Sequence, residues 1–409
     1  MARTVDAEFE RSVALLERLV NQNSGTMNFE GVRRVGDMMR AELEPLGFRV
    51  VWKPMDAAGR AGHLIATRDG RPGRKRLLLI AHLDTVFEKD SPFQIFARTG
   101  TMARGPGAGD DKGGMVVIVS ALRAMRAAGT LDGANIEIHM TGDEEDAGDP
   151  IELARADLIA AGRRSDVALD FEGLVIDQGR DMGSIARRSS NSWRLAVQGK
   201  TGHSSLIFSG DYGDGAINEA ARIISRFRAE LPEPNLTFNV GLIAGGQEAS
   251  LDRDGVRAEA RGKTNIIPGI VIARGDFRTL SPAQTARVKE RMAAIVSQSS
   301  PGTRSELTFD PGAYPAMAPT AGNAALLERL NRVNRDLGLA EMPPLDPLKR
   351  GAGDISFVAA DVDSLAGLGT FSTGDHGLDE TVDLDSIRRQ AKRAAILMSR
   401  LARERAEGR

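Results

Sequence analysis

The sequence contains no cysteine, which excludes disulfide bonds, thiolate metal sites and a cysteine nucleophile. It also has little net charge, because 54 Lys and Arg stand against 56 Asp and Glu and give a formal charge of −2. A nearly neutral chain has no general electrostatic attraction to nucleic acid or to anionic lipid. Any metal site must therefore use histidine and carboxylate ligands, the set found in hydrolytic zinc sites.

Long apolar runs are missing as well. No stretch approaches the roughly 18 apolar residues of a transmembrane helix, so we expect no membrane span. The first residues, "MARTVDAEFERSVALLERLV", predict an amphipathic helix and lack the apolar centre of a signal peptide. We therefore expect a cytoplasmic protein, or a periplasmic or secreted one if a signal peptide has been removed.

With 409 residues the chain exceeds the length at which one core keeps growing, so two domains are expected. Short, nearly continuous apolar runs are separated by helical patterns such as "GMVVIVSALRAMRAAG". This alternation predicts an α/β fold, a mostly parallel sheet with helices on both faces. The apolar runs are "RLLLIAHLD", "NIEIHMTGD", "DVALDFEG" and "SLAGLGTF".

The pattern changes between residues 188 and 311. There the order β-α-β-β-α-β predicts an α+β module of the split-βαβ (ferredoxin-like) type on a four-stranded sheet. The α/β character then returns, so the simplest organisation is one domain interrupted by another. We predict a catalytic domain of residues 1–187 plus 312–409 and an inserted domain of residues 188–311.

Side chains able to bind metal follow each apolar run. The carboxyl ends of strands in an open α/β sheet meet at one edge, where ligands bind. A further segment, "GPGAGDDKGG", has two acids just before a helix, whose N-terminus favours negative charge. The candidates are His82 and Asp84, Asp110 and Asp111, Glu144 and Glu145, Asp170 and Glu172, and His376.

Two histidines with several carboxylates match a pair of zinc ions or similar divalent metals. Two such ions share a bridging carboxylate and a water, which then attacks a carbonyl carbon. A carboxylate that binds no metal must accept the proton and pass it to the leaving amine. Glu144 and Glu145 leave a strand as neighbours and point in different directions, so they can divide these tasks. Which glutamate does which, and whether Asp111 replaces Asp110 or Asp170 replaces Glu172, stays open from the residues alone.

Five motifs in order resemble one known family over essentially the whole chain. They are "AHLDTV", "GDDKGG", "GDEED", "DFEG" and "GDHGLDE". The family comprises zinc-dependent amidohydrolases and exopeptidases, among them carboxypeptidase G (glutamate carboxypeptidase), aminoacylase, acetylornithine deacetylase and succinyl-diaminopimelate desuccinylase. Each motif alone is weak, but five together in this order are specific.

The resemblance implies two zinc ions per subunit, with Asp110 bridging them. One ion would be held by His82, Asp110 and Glu172, and the other by Asp110, Glu145 and His376.

It further implies that Asp84 orients the His82 imidazole from behind. Glu144 would be the general base and acid. The peptide bond between Asp110 and Asp111 is expected to be cis.

The resemblance extends to the inserted domain. "GKTGHSS" implies that His203 reaches into the active site of a partner subunit and polarises the scissile carbonyl, so a homodimer is expected. "KTNIIPGIVIARGDFR" implies that Asn265 and Arg278 contact the substrate, with the Arg278 guanidinium pairing with a free carboxylate. A pairing of Arg278 with Asp276 is the structural alternative. An extra segment, residues 247–263, departs from the family pattern.

We therefore predict a dinuclear zinc hydrolase that cleaves an amide next to a free carboxylate, in the manner of a glutamate carboxypeptidase. Its substrate would be a small peptide or an N-acyl amino acid. An N-acyl-amino-acid deacylase is the main alternative, and a non-catalytic binding protein on the same scaffold is the remote one. His63 and His139 match no motif and are predicted to be structural.

Overall fold

The structure, a computed structural model, describes residues 1–253 and 255–406. The predicted segments 247–263 and 312–409 extend over residue 254 and residues 407–409, which lie outside the described residues. The chain divides into two compact units. The first unit contains Met1–Arg187, Met317–Lys349 and the chain from Gly353 onward, and the second contains Arg188–Ala316 and Arg350–Ala352.

The α-helices follow one another in this order: α1 (Ala2–Ala7), α2 (Phe9–Val20), α3 (Phe29–Leu43), α4 (Lys112–Ala127), α5 (Ile151–Ala154), α6 (Ala156–Arg164), α7 (Gly215–Glu230), α8 (Pro282–Val296), α9 (Ala321–Asp336) and α10 (Leu384–Leu401).

The strands follow one another in this order: β1 (Arg49–Met55), β2 (Arg60–Arg68), β3 (Arg76–His82), β4 (Ala97–Thr99), β5 (Met102–Arg104), β6 (Asn135–Thr141), β7 (Val167–Asp170), β8 (Ile176–Asp177), β9 (Arg180–Asp181), β10 (Asn191–Gly199), β11 (Thr237–Gly246), β12 (Glu248–Leu251), β13 (Ala258–Arg261), β14 (Ile270–Arg278), β15 (Thr303–Phe309), β16 (Ser364–Leu365), β17 (Ser372–Thr373) and β18 (Thr381–Asp383).

The main sheet of the first unit has the strand order β1-β2-β6-β3-β7-β16. β6, β3, β7 and β16 run parallel to one another, whereas β1 and β2 pair antiparallel at one side. The two faces of β3 enter different cores. Leu77 and Leu79 pack in the core that contains α4, and Leu78 and Ile80 pack in the core that contains Leu158 of α6. Burial on both faces explains why the strand reads as a continuous apolar run.

The register of the parallel strands brings their carboxyl ends to one edge. His82, the last residue of β3, lies opposite Thr141, the last residue of β6. On the other side of β3, Ile80 lies opposite Asp170, the last residue of β7. The segments that follow these strands therefore begin side by side, as the predicted α/β fold requires.

The second unit is an antiparallel sheet with the order β11-β14-β10-β15. Its core face carries Trp193, Leu195 and Val197, every second residue of β10, as expected for a strand with one covered side. α7 and α8 pack on this face, and Phe227 of α7 meets the Trp193 ring edge to face at 5.9 Å. The predicted β-α-β-β-α-β order is confirmed.

Some elements differ from the sequence prediction. β1 and β2 were not predicted. β1 is an outer strand with only two buried residues, so it has no continuous apolar run, and its Pro54 sits at a register shift. The extra segment forms an antiparallel hairpin, β12–β13, which its charged composition did not suggest. The apolar run at 364–371 gives only the short β16, and Gly367 in it has a φ of 78°.

Candidate functional site

Four side chains from four separate segments of the first unit meet beyond the ends of β3 and β6. His82 Nε2 lies 3.0 Å from Asp110 Oδ1, and His376 Nε2 lies 3.2 Å from Asp110 Oδ2. His376 Nε2 also lies 3.3 Å from Glu145 Oε2. One ligand atom each of His82, Asp110 and Glu145 falls within 4.8 Å of the other two. Asp110 thus lies between the two imidazoles, with one carboxylate oxygen facing each ring.

Asp84 lies behind this cluster and is fully buried. Its Oδ1 is 3.4 Å from His82 Nδ1, on the side of the ring opposite Asp110. It also accepts hydrogen bonds from the backbone N–H groups of Glu144 at 3.1 Å and Glu145 at 3.2 Å. The Thr26 hydroxyl donates a further bond at 2.7 Å. Asp84 therefore fixes both the imidazole and the backbone that carries the two glutamates.

The Asp110–Asp111 peptide bond is cis, as the family resemblance implies. The Asp111 Oδ2 accepts the backbone N–H of His82 at 3.3 Å and so contacts the His82 backbone. Although Asp111 directly precedes α4, its side chain makes no capping hydrogen bond. Of the two acids, Asp110 is the one that faces both rings.

Asp170 and Glu172 both lie against Arg187. Its Nη1 is 2.6 Å from Glu172 Oε2 and 3.2 Å from Asp170 Oδ2, and all three side chains are buried. Arg187 had no sequence motif and was not predicted. It partly neutralises the acids that follow β7, and neither acid is among the described residues that group with His82, Asp110 and Glu145.

The electrostatics of the cluster indicate a local excess of negative charge. Burial alone would lower the pKa of His82, but hydrogen bonds to Asp110 and Asp84 raise it well above 6.5. The hydrogen bond to Asp110 raises the pKa of His376 to about 9. Burial tends to raise the pKa of Asp110, yet its bonds to His376 and His82 hold it well below its usual range. The imidazoles are thus drawn toward the charged form by the surrounding carboxylates.

The two adjacent glutamates are shifted toward their neutral, protonated form. Burial, and next the charge of Glu172, raise the pKa of Glu144 well above 4.5. Burial, and next the charge of Asp110, raise the pKa of Glu145 to about 8. Burial and the neighbouring carboxylates thus outweigh the nearby imidazoles, which would lower these pKa values. Such a donor set suits divalent metal, whose charge would stabilise the ionised acids.

The remaining predicted residues lie in the second unit. His203 is exposed, with its Nδ1 2.8 Å from the Ser205 hydroxyl. It lies next to the segment of Asn265, whose carbonyl accepts the Ser204 N–H at 2.9 Å. Arg278 Nε donates to Asp276 at 3.4 Å, so the predicted alternative pairing is present.

The two histidines without motifs have structural partners. His63 Nε2 faces the Ala154 carbonyl at 2.8 Å, and His139 Nε2 faces Glu137 at 2.8 Å. Sequence reasoning also missed Glu380, a buried acid in the segment "GDHGLDE" that contacts the Asp110 loop. Its position within that segment was the available signal.

Within residues 1–253 and 255–406, no helix is long and apolar enough to cross a membrane. The protein-family model "Peptidase family M20/M25/M40" matches residues 78–400.

Curated relatives agree with this match. The chain is 29% identical to carboxypeptidase G2 of Pseudomonas sp. (strain RS-16) over 272 residues, which are 65% of this chain but only 59% of that protein. It is 27% identical to succinyl-diaminopimelate desuccinylase of Cupriavidus pinatubonensis (strain JMP 134 / LMG 1197) over 398 residues, 91% of this chain and 94% of the relative.

Among solved structures, the fold is similar to that of the Bacillus subtilis YXEP protein, described as a dinuclear metal-binding peptidase from the M20 family. The TM-score is 0.64 at 15% identity, with 97% of this chain and 99% of the other covered. Since the family match covers most of the chain and includes all four clustered residues, the protein is a hydrolytic enzyme and belongs to Peptidase family M20/M25/M40.

Proposed function

We propose that this enzyme is a dinuclear zinc hydrolase that cleaves an amide or peptide bond next to a free carboxylate, as a glutamate carboxypeptidase does. The observation that carries the proposal is a chain of short contacts: Asp110 lies 3.0 Å from His82 and 3.2 Å from His376, and His376 lies 3.3 Å from Glu145. Two imidazoles and several carboxylates that converge from distant segments are the donor set of a divalent metal site.

The donor set fits zinc better than calcium or magnesium. Zinc takes nitrogen and oxygen ligands, whereas calcium and magnesium prefer oxygen alone. When bound, a pair of zinc ions polarises a carbonyl and lowers the pKa of water. One ion would be held by His82, Asp110 and Glu172, and the other by Asp110, Glu145 and His376.

Glu144 is the general base and acid in this proposal. It accepts a proton from the attacking water and passes it to the amine nitrogen as the C–N bond breaks, which gives a carboxylate and a free amine. Burial, and next the charge of Glu172, raise its pKa above 4.5, which is the direction that suits a group that must take up and release a proton. Asp84 accepts the backbone N–H groups of both Glu144 and Glu145 and so fixes the segment that carries the two side chains.

The substrate carboxylate is assigned to Arg278 and Asn265. A guanidinium pairs bidentately with a carboxylate, which a point charge does not do. Asp276 accepts from Arg278 Nε at 3.4 Å, and the terminal guanidinium nitrogens are the ones assigned to the substrate carboxylate. His203 would reach into the active site of a partner subunit and polarise the scissile carbonyl of the substrate bound there.

A homodimer is therefore part of the proposal. β11 pairs with β14 on one side, and the described residues provide no strand on its other side. Ile243 of β11 is 53% exposed and Ile217 of α7 is 45% exposed. Ile217 lies beside Gly245, two residues along β11 from Ile243, since a Cβ on Gly245 would be 3.4 Å from Ile217 Cγ1. An open strand edge beside apolar side chains is a suitable surface for a second copy of the chain.

The Glu144→Ala variant tests the proposed chemistry. Zinc content should match the wild type, because Glu144 is not assigned as a ligand, while turnover should fall by about 10²–10⁴-fold. The exposed Glu152, changed to alanine, is the matched control and should keep full turnover. Undiminished turnover in Glu144→Ala would reject the assigned base, and a wild-type protein that binds zinc but cleaves no amide would support the binding-protein alternative.

Substrate comparison decides the finer assignment. N-acyl-glutamate and glutamate-terminal dipeptides should be cleaved faster than N-acetyl derivatives of apolar amino acids. The reverse order would favour the N-acyl-amino-acid deacylase. Preference for N-succinyl amines would instead point to the activity named for the Cupriavidus relative.

A further inference from the structure

The loop that carries Asp110 is held by one buried carboxylate, that of Glu380. Glu380 is 1% exposed. Its Oε1 accepts the backbone N–H groups of Gly109 at 2.8 Å and Asp110 at 3.1 Å, and its Oε2 accepts that of Gly107 at 3.0 Å. Three N–H groups in one short loop thus converge on one side chain.

The loop can adopt this shape only because of its glycines. Gly107 has a φ of 70°, and a Cβ there would lie 2.4 Å from Thr85 Cγ2. A Cβ on Gly109 would lie 2.2 Å from Ser372 Cβ. The backbone therefore approaches its neighbours closely while its N–H groups turn toward Glu380.

A buried lysine holds the same loop from its carbonyl side. Lys112 is fully buried, and its Nζ donates to the Pro106 carbonyl at 3.4 Å and to the Gln22 carbonyl at 3.1 Å. The Glu380 carboxylate thus accepts three N–H groups of the loop before α4, and the Lys112 ammonium donates to the Pro106 carbonyl of the same loop. Both contacts satisfy backbone groups that burial would otherwise leave unpaired.

Glu380 also belongs to the segment of His376. Its N–H donates to the Gly377 carbonyl at 3.2 Å, and its carbonyl accepts the Gly105 N–H at 3.2 Å. The next strand, β18, pairs with β5, which precedes the Asp110 loop. Glu380 therefore joins two loops that are far apart in sequence, one with Asp110 and the other with His376.

We propose that Glu380 is a positioning residue that holds the loops of Asp110 and His376 in the correct relative position before metal binds. This inference rests on the proposed function, because it assumes that these two side chains are metal ligands. Glu380 itself binds no metal. Groups that orient metal ligands from behind change metal affinity by about 10–100-fold when they are replaced.

The Glu380→Gln variant tests this role, since glutamine keeps the size but has an NH₂ group in place of one acceptor oxygen. At least one backbone N–H of the loop then faces another donor. We expect zinc affinity, measured by competition with a chelator, to fall by about 10–100-fold. Asp379→Asn, which removes an exposed charge from the same loop, should bind zinc as the wild type does.

Amide hydrogen exchange of the metal-free proteins provides a readout independent of activity. Residues 105–111 should exchange faster in Glu380→Gln, whereas β10 of the second unit should be unchanged. Unaltered zinc affinity with unaltered exchange would overturn the proposal. Equal acceleration throughout the chain would also overturn it, because Glu380 would then support folding in general.

Two further outcomes separate this inference from the proposed function. If the wild type binds no zinc, the proposed function fails, whatever Glu380 does to the loop. If Glu380→Gln does not fold, Glu380→Asp is decisive, since it keeps the charge but is one methylene shorter. Wild-type zinc affinity in a folded Glu380→Asp would contradict positioning by direct contact.

Discussion

Single buried acids organise this site, and each does so through the backbone as well as through side chains. Asp84 accepts the N–H groups of Glu144 and Glu145 while facing the His82 ring. A mutation of such an acid would alter several ligands together, so its effect cannot be assigned to one contact. The same reasoning applies to buried acids away from the site.

Glu137 on β6 is such an acid and should make stability depend on pH. Burial tends to raise its pKa, but contacts with His139 and Arg164 lower the pKa to about 2. A depressed pKa stabilises the fold above the ordinary value of 4.5, and this stabilisation is lost as the pH falls toward 2.

Glu137→Gln should therefore be less stable than the wild type at neutral pH and lose less stability between pH 4.5 and 2. Urea denaturation at a series of pH values measures this slope. The exposed Glu17, changed to glutamine, is the control and should keep the wild-type slope. Parallel pH profiles for Glu137→Gln and the wild type would show that the contacts do not stabilise the charged form.

At the scale of elements, Arg155 connects the segments that follow β6 and precede β16. This fully buried residue, at the end of α5, donates to Asp143 at 2.6 Å and to Asp354 at 2.7 Å. Asp354 also accepts the Thr141 hydroxyl at 2.5 Å. Because Asp143 directly precedes Glu144, this ion-pair network supports the loop of the proposed base.

Arg155→Met should destabilise the protein by about 3–5 kcal/mol, because two buried carboxylates lose their shared cation. Arg163→Met is the matched control on α6. Arg163 pairs with Asp361 at the surface, so its loss should cost less than about 1 kcal/mol. Equal free energies of unfolding for the two variants, measured with urea, would contradict the importance of the buried network.

How much the sequence predicts differs between elements. β3, β6 and β7 were predicted because burial on both faces makes them continuous apolar runs, and their ends located His82 and Glu145. β1 and the β12–β13 hairpin were missed because polar outer strands lack that pattern. Arg187 and Glu380 were not assigned roles because their contacts depend on tertiary folding that no local pattern encodes.

At the scale of the whole molecule, the two compact units divide the proposed work. The first contains the clustered acids and imidazoles, and the second contains His203, Asn265 and Arg278. Under the proposed function, neither unit is sufficient alone. The oligomeric state is thus a test of function as well as of assembly.

Ile243→Glu should shift a dimer toward monomer at micromolar concentration, because it places a charge on the open edge of β11. Turnover should fall with dissociation, since His203 would no longer reach a partner. Val51→Glu, an exposed apolar residue on β1 of the first unit, is the control. Sedimentation velocity measures the oligomeric state of both variants, and a turnover assay measures their activity. A fully active monomer would refute the dimer.

The interruption of the first unit by the second has a consequence for biosynthesis. A ribosome releases His82, Asp110 and Glu145 early, then makes the whole second unit before it reaches His376 and Glu380. The growing chain therefore cannot assemble the complete cluster until the second unit and His376 have been made. Under the proposed function, a truncated product that ends before His376 would lack one imidazole of the metal site.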